Sequence, residues 1–578
     1  MSEARRAKSA KRKLRATEKA ASAPPKPATR WWIYCAVAVA LCAAWLVYAP
    51  AFGGPFVFDD ISLPYGTPGF PGALRFWIGG VRPLLMFSYW LNYRSSLDPS
   101  GFHVVNFLCH LLNSVLIFLI ARKLLRPESS DWLLPAFAAA VFLFHPIQTE
   151  AVSYIAGRSE SLSVLFFLAA FAVFLYRRTS AVSWKVAALV LVLFGAAAAT
   201  KEHTLVLPAL LLLTDYYWNP GFAFSGIRRN WRLYVPIALF AAGGLVLVAR
   251  ILARNGTAGF GLKDFTWYQY FFTECRAFFV YLRLLVFPAG QTPDWDYQIS
   301  RNITDRGAVF GLAAILALVA AAIYFRRRYP LASYGFLVYV LLMAPTSSFV
   351  PIKDPVAERR LYLPMIGMLL VAIAALARIR VDRRKLAAAL CAIVAVLGIL
   401  TYQRNQLWAS ETALWEDAAR KTPGRQRVLS QLAHTYFTNH RCLDAIAQYT
   451  EAARVAPPDY GLLIDWGLAY DCADQPDAAV AKLRQAAELN PTAHAYSQIA
   501  MVYAKQSRWQ DALAALDQAG KLDPNYDMIY DTRGGIRAKT NDLSGAAADY
   551  RRALAVNPLN DHARHMLGIV ERQLNSRQ

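Results

Sequence analysis

The sequence predicts an all-α protein in two parts: a polytopic bundle of about eleven membrane-spanning helices, then a solenoid of short helix pairs. Three observations predict it. Of the 578 residues, 56% are hydrophobic and 13% aromatic, too apolar for a soluble chain of this length. Apolar runs approaching the roughly 20 residues of a bilayer crossing recur from Trp32 to Tyr402. Beyond Tyr402 the chain turns polar, and prolines return on a fixed period.

Residues 1–30 carry ten Lys or Arg (Arg5, Arg6, Lys8, Lys11, Arg12, Lys13, Arg15, Lys19, Lys26, Arg30) against Glu3 and Glu18. They read as a disordered basic cytoplasmic arm. The formal net charge is +23. Directly before a span, basic residues are explained by the positive-inside rule, so no nucleic-acid partner is inferred. Pro50 follows the first apolar run without a small-x-small cleavage site, so the run is expected to be an uncleaved anchor.

Residues 31–403 form the expected membrane domain. Its candidate spans are Trp32–Val47, Val104–Lys123, Trp132–Phe144, Leu162–Tyr176, Trp184–Thr200, Thr204–Tyr217, Trp231–Ile251, Ala308–Phe325, Ala332–Ser348, Leu361–Ala377 and Leu386–Tyr402. A twelfth apolar stretch, Tyr268–Phe287, contains Glu274, Arg276 and Arg283, which are costly at mid-bilayer. The basic clusters at Arg122-Lys123-Arg126, Arg177-Arg178-Lys185, Arg228-Arg229-Arg232, Arg326–Arg328 and Arg378–Lys385 all fall on the cytoplasmic side with the N-terminal arm only if Tyr268–Phe287 does not cross. That stretch is therefore expected to be interfacial or re-entrant. Eleven crossings place the N-terminus inside and the C-terminus outside. The same parity gathers Asp59-Asp60, His145–Arg158, Lys201–His203, Asp294–Tyr297 and Lys353–Arg360 on the outer face. Ionisable groups at the membrane edge are functional candidates.

Residues 404–425 read as a connecting helix in which Trp408 and Trp415 couple the last span to the solenoid. Leading into and through 426–578, Pro423, Pro457, Pro491, Pro524 and Pro558 recur at intervals of 34, 34, 33 and 34. Ala445, Ala479, Ala512 and Ala546 precede the last four by twelve residues, and Ala433, Gly467, Ala500 and Gly534 by twenty-four. Small residues let two helices pack closely, and proline ends each pair. This is the tetratricopeptide repeat pattern: four repeats and a capping helix at Asn560–Gln578. Cys35, Cys42, Cys109, Cys275 and Cys391 lie in or beside apolar segments and read as core residues. Cys442 opens the second helix of the first repeat and Cys472 closes the first helix of the second, ends that share one edge of a stacked array. Outside the cytoplasm they can form a Cys442–Cys472 disulfide; two free thiols are the alternative.

The chemistry centres on Asp59-Asp60. Adjacent carboxylates repel, which raises the pKa of one unless a cation, metal or donor offsets it. Such a pair can supply a general base at a membrane surface; a plain capping turn is the bland alternative. The residues around it resemble a known family. Phe58-Asp59-Asp60, Arg82-Pro83-Leu84, Phe102-His103-Val104-Val105-Asn106, His145-Pro146-Ile147-Gln148-Thr149-Glu150-Ala151-Val152, Gly157-Arg158-Ser159-Glu160, Lys201-Glu202 and Glu358-Arg359-Arg360-Leu361-Tyr362-Leu363-Pro364, with the repeats behind them, are similar to the transmembrane and tetratricopeptide repeat-containing O-mannosyltransferases. The resemblance covers nearly the whole chain after the basic arm. It implies a C-type glycosyltransferase fold and an inverting transfer of mannose or another hexose from a polyprenyl phosphate to a hydroxyl of a secreted or periplasmic protein. The array here has only four repeats, which leaves the acceptor open.

Transfer from a lipid phosphate needs a base for the acceptor hydroxyl and cations for the departing phosphate. Asp59 is assigned as the base, and Asp60 as its orienting partner or a ligand of a divalent metal, Mg2+ or Mn2+. Arg158, Lys201, Arg359 and Arg360 are the phosphate candidates, and His145, Glu150, Glu202 and Glu358 support them. Each has a structural alternative: an ion pair for Lys201 and Glu202, lipid anchoring for Arg359 and Arg360, helix capping for Arg158 and Glu150, packing for His145. Asp294-Trp295-Asp296-Tyr297 has the acid-aromatic composition of a sugar or acceptor contact, or of a membrane-edge anchor.

No Walker or dinucleotide-type glycine loop is present in the sequence. Two rivals stay open: a glycosyltransferase acting on an envelope lipid or polysaccharide, and a non-catalytic membrane scaffold or transporter. The Ala/Arg-rich usage points to a bacterial inner membrane with the repeats in the periplasm, binding the acceptor or partner proteins.

Overall fold

A computed structural model describes residues 31–67, 69–125, 132–219, 221–253 and 258–576. The basic arm lies outside the described residues. The chain divides after Val47 into two units. The first holds the start of the helix Trp31–Phe52, whose side chains are largely exposed. The second runs from Tyr48 and contains both the remaining apolar helices and the repeats. Among the described residues the fold is all helical, with one isolated bridge between Ala258 and Ile352.

All eleven expected apolar segments are helices, but they differ in length. Six are long and apolar enough to cross a membrane: Tyr34–Phe52, Pro99–Leu125, Ile155–Leu175, Trp231–Leu252, Asp305–Arg327 and Arg383–Trp408. The chain is thus a multi-pass membrane protein by the length and composition of these helices. A seventh is obtained if Leu133–Phe144 and Pro146–Val152, bent by 50° at His145, count as one. Proline disfavours the helical conformation at the residue before it, which sets that bend. Trp184–Ala198, Leu207–Trp218, Pro330–Met343 and Met365–Leu376 have only 15, 12, 14 and 12 residues. The count of eleven is therefore not reached by helix length. The physical reason lies in the polar motifs: Lys201-Glu202 and Glu358-Arg359-Arg360 unwind the adjoining chain into the 3-10 turns Glu202–Val206 and Glu358–Leu361, where their side chains find partners.

The stretch read as interfacial or re-entrant is a helix, Trp267–Val286, and is not among the long apolar ones. Its charges are held by protein: Glu274 lies 3.6 Å from Arg360, Arg276 donates to Ser300 at 2.8 Å, and Arg283 donates to the Ala289 carbonyl at 3.2 Å. Elsewhere in the bundle, Pro330–Met343 packs on Met365–Leu376 at Gly335 and Gly367. A Cβ on Gly335 would stand 2.6 Å from the Gly367 carbonyl oxygen, so only glycine permits this backbone approach.

The last span runs to Trp408, six residues beyond the expected end, and a separate helix, Glu411–Lys421, leads to the repeats. The repeats are the pairs Gln426–Thr438 with Cys442–Val455, Tyr460–Cys472 with Pro476–Leu489, Ala493–Lys505 with Trp509–Leu522, and Asp527–Lys539 with Leu543–Val556, followed by Asp561–Asn575. Ala433, Ala445, Ala479, Ala500, Ala512 and Ala546 are fully buried where the paired helices meet. His440, Asp474, Ser507 and Asn541 take left-handed φ of 57°, 56°, 59° and 69° just after the first helix of each pair. The backbone repeats there even though the residue type does not.

Cys442 and Cys472 are disulfide-bonded, with Cα atoms 5.8 Å apart. Their sequence separation of 30 closes a loop whose restriction in the unfolded chain contributes about 3–4 kcal/mol in the chain-entropy account. Reduction, or Cys472→Ser, is expected to lower the melting temperature of the repeats. An unchanged melting curve with and without reductant would show that the bond contributes nothing.

Candidate functional site

The turn after Phe52 carries the two aspartates in opposite environments. The 3-10 turn Phe58–Ser62 is entered through Phe58 at φ 55°, a left-handed conformation rare for a residue with a side chain. Asp59 is exposed. Its backbone N–H donates to the Tyr154 hydroxyl at 2.9 Å, and its carbonyl accepts from the Ser62 hydroxyl at 2.8 Å. Asp60 is fully buried. Its carboxylate accepts from the Val57 N–H at 3.1 Å, the Tyr65 hydroxyl at 3.1 Å and the Ala156 N–H at 2.8 Å. Asp60 thereby staples the aspartate turn to the His145–Arg158 loop.

Burial pushes the Asp60 carboxyl up to about 7 against the pull of those three donors. The folded state therefore keeps a proton that the unfolded chain has released above pH ~4. The stability linked to this group is complete below that pH and is lost as pH rises through about 7. Glu358, raised to about 7 by burial, adds in the same direction. The melting difference between wild type and Asp60→Asn should accordingly shift against wild type between pH ~4 and pH ~7; a pH-independent difference would contradict the assignment.

The His145–Arg158 loop is built on internal contacts. His145 accepts the Ile147 N–H at Nδ1 (3.1 Å), so its Nε2–H donates to the Leu285 carbonyl at 3.2 Å. Gly157 lies where a Cβ would meet the Glu150 carbonyl oxygen at 2.6 Å, so the loop can fold back on itself only with glycine there. Asn106 donates to the Tyr154 and Ile155 carbonyls and accepts from Arg158 Nε at 2.8 Å.

Three cations collect beside Tyr154 and the loop. Arg359 pairs with Glu150 through its guanidinium, and its N–H donates to Glu150 at 2.9 Å. Lys201 pairs with Glu160 and reaches the Ser159 hydroxyl at 3.3 Å. Arg82 forms a two-pronged bond to Glu202, at 2.9 and 2.8 Å. They belong to one electrostatic neighbourhood: the charge of Arg359 acts on Glu160, Lys201, Asp354 and Tyr154, and Tyr154 also feels Asp59 and Asp60. Burial pulls the Lys201 ammonium below its usual range, with Glu160 opposing. His203, 3.7 Å from Glu160, is drawn down to about 4 by burial and so is neutral near pH 7.

Exposure separates groups that can meet a ligand from groups that cannot. The side chains of Arg82, Lys201 and Arg359 keep 38%, 15% and 26% of their surface, whereas Glu150 and Glu160 keep 4% and 6%. In the Lys201 and Arg359 pairs the cation is thus the more exposed member, whereas Glu202, the partner of Arg82, keeps 26%.

Three expectations are corrected by this geometry. Arg158 is fully buried, and its guanidinium is spent on Asn106, Asn92 (2.7 Å) and the Ser88 and Phe102 carbonyls, above the Tyr89 ring. It is not free for a phosphate. Arg360 is likewise buried, bonded to the Tyr270 hydroxyl and the Asp354 and Pro355 carbonyls beside Glu274. Asp294 is not a sugar contact: both its oxygens are taken by Arg425 and Arg427. The oxygens of Asp60 are engaged by three donors, and no group of three His, Cys, Asp or Glu converges among the described residues. Glu358 accepts from Gln291 and the Thr292 N–H, both at 2.7 Å, and holds loops together. Tyr297 lies against Arg276, Trp295 is half-buried, and Asp296 is exposed.

Sequence reasoning left Arg82 without a role although its Arg-Pro-Leu motif was in view. It missed Tyr154, Asp354, Arg425 and Arg427 altogether. The last three form a clasp with Asp294: Asp294 and Asp354, from two loops of the membrane part, bind the two arginines that open the repeats. Nothing in the local spacing marks these arginines. Trp408 stacks on Tyr154 at 5.8 Å within the membrane part, and Trp415, buried in the core of the repeats, lies 5.7 Å from Phe58.

No protein-family model matches the chain. The resemblance read from its motifs holds among curated proteins. The chain is similar to "Protein O-mannosyl-transferase TMTC3" of Mus musculus, 26% identical over 584 residues, covering 89% of this chain and 63% of that protein. It is also similar to "Protein O-mannosyl-transferase F38B6.6" of Caenorhabditis elegans, 24% identical over 433 residues, covering 71% of this chain and 61% of that protein. The chain thus spans a little over three-fifths of the length of these relatives. Among solved structures, TTC0263, a thermophilic TPR protein of Thermus thermophilus, is 22% identical, covering 30% of this chain and 95% of that one at a TM-score of 0.25.

Proposed function

We propose that this chain is a membrane glycosyltransferase that moves mannose from a polyprenyl phosphate to a hydroxyl of a protein, on the side of the membrane opposite the cytosol. The observation that carries this reading is that Tyr154 touches the turn of the exposed Asp59 and also feels the charge of Arg359, a partly exposed cation whose carboxylate partner, Glu150, is buried. The names of the relatives supply mannose and the protein acceptor.

In this reading Asp59 takes the proton of the acceptor hydroxyl as its oxygen attacks the anomeric carbon. The bond from that carbon to the phosphate oxygen breaks, and its electron pair leaves with the phosphate. Attack from the opposite face inverts the anomeric centre. Arg359, Lys201 and Arg82 stand where charge grows on the departing phosphate; the two arginines suit it through their planar forks. The basic arm is cytoplasmic, and the repeats lie in the periplasm of a bacterial inner membrane, where they present the acceptor.

The test uses the full chain in nanodiscs with polyprenyl-phosphate-[3H]mannose and a Ser/Thr-rich peptide. Label should appear on the peptide. Lys201→Gln, which can still donate to Glu160, should lower kcat/KM for the donor by about 10². Label appearing only on lipid or polysaccharide would replace the protein acceptor; no transfer at all would leave a scaffold.

A further inference from the structure

We propose that Arg427, the second residue of the first repeat helix, is a positioning residue for the Asp59 turn, so that the docked repeats add a hold on that turn to the ones the membrane part supplies. The catalytic meaning of this coupling rests on the reading of Asp59 as the base; the coupling itself does not.

Two carboxylates from separate loops fix the Arg427 guanidinium: its Nε donates to Asp294, and its Nη2 donates to Asp354 at 2.7 Å. So held, its Cζ stands 5.4 Å from the centre of the Phe58 ring. A planar cation over an aromatic face is attractive, more so when partly desolvated. Trp415 packs against the same ring at 5.7 Å. Phe58 has a left-handed φ of 55°, a conformation that persists only where its surroundings enforce it. Asp59 follows directly. Its own anchors are backbone ones, to Tyr154 and Ser62, and its side chain is exposed. The ring of Phe58, gripped from the repeat side, therefore acts with the Asp60 and Tyr154 anchors to set the direction in which the Asp59 carboxylate leaves the chain.

The experiment is hydrogen exchange on the full chain in nanodiscs, with transfer kinetics beside it. Arg427→Ala should speed exchange in residues 57–62 by roughly tenfold and leave 428–438 protected. Phe58→Leu should do the same, and the double variant should add little to either. Arg427→Lys, which keeps a cation over the ring, should restore part of the protection. With polyprenyl-phosphate-[3H]mannose, Arg427→Ala should lower kcat roughly tenfold with the donor KM unchanged. Unchanged exchange at 57–62, additive variants, or loss of protection spread equally through the repeats would overturn the proposal. Should Arg427→Ala not fold, Asp354→Asn, which removes one of the two anchors, decides by the same exchange readout. A wild-type protein that transfers no mannose sinks the glycosyltransferase reading alone, because the exchange data still decide the coupling.

Discussion

Asp59→Asn should reduce transfer by about 10²–10⁴ in kcat, the contribution expected of a positioned base, while leaving the protein folded. The two halves of that expectation come from the same geometry. Asp59 is held by its backbone, through the N–H to Tyr154 and the carbonyl to Ser62, and asparagine keeps both. Its side chain is exposed, so the substitution buries nothing new. Melting temperature and exchange of the Phe58–Ser62 turn should match wild type. Asp60→Asn provides the contrast. Three donors converge on that carboxylate, and an amide would set its own N–H against one of them. It should loosen the turn as well as slow transfer. Transfer unchanged in Asp59→Asn would exclude it as the base and favour a scaffold.

The second large effect is expected at Arg158, on stability rather than on chemistry. Arg158→Met would leave the Asn92 and Asn106 side-chain oxygens without this donor inside the packed end of the bundle, while the Ser88 and Phe102 carbonyls keep their partners within their own helices. Each buried group left unpaired costs about 1–3 kcal/mol. The two together cost about 2–6 kcal/mol, a large share of the ~5–15 kcal/mol that holds a typical domain folded. The expected outcome is a sharp fall in the yield and melting temperature of detergent-solubilised protein. Lys201→Gln, at a partly exposed cation, should lose transfer with a far smaller change in melting. An Arg158→Met protein that melts normally but has a raised donor KM would return Arg158 to the phosphate.

These two residues mark how far the sequence could be read. Asp59-Asp60 stands out as a pair in any reading, but which member is exposed depends on Tyr65 and Ala156 closing over the other. Arg158 looked like Lys201 and Arg359 because charge in a membrane-edge loop is visible from composition alone. Its burial beneath Tyr89 and Phe102 arises from helices some fifty to seventy residues earlier in the chain. Arg82 had the opposite fate: its motif was in sight, but its partner Glu202 is 120 residues away. The helix lengths were overread for a related reason. Apolar composition continues up to the polar motifs, whereas the helices stop where the motif side chains take loop partners.

What the sequence determined by itself is whatever repeats locally or averages over a window. Apolar runs specify membrane helices, and prolines and small residues at fixed offsets specify the stacked helix pairs, because helix formation and close packing act between near neighbours. What only the tertiary structure decided is the partner of each charge: Asp60 with the loop, Arg158 with the core, Asp294 and Asp354 with the arginines of the first repeat. A charge takes whichever donor or acceptor the packed chain brings within about 3 Å, and in these cases that neighbour lies 52 to 133 residues away along the chain, a separation no local pattern encodes.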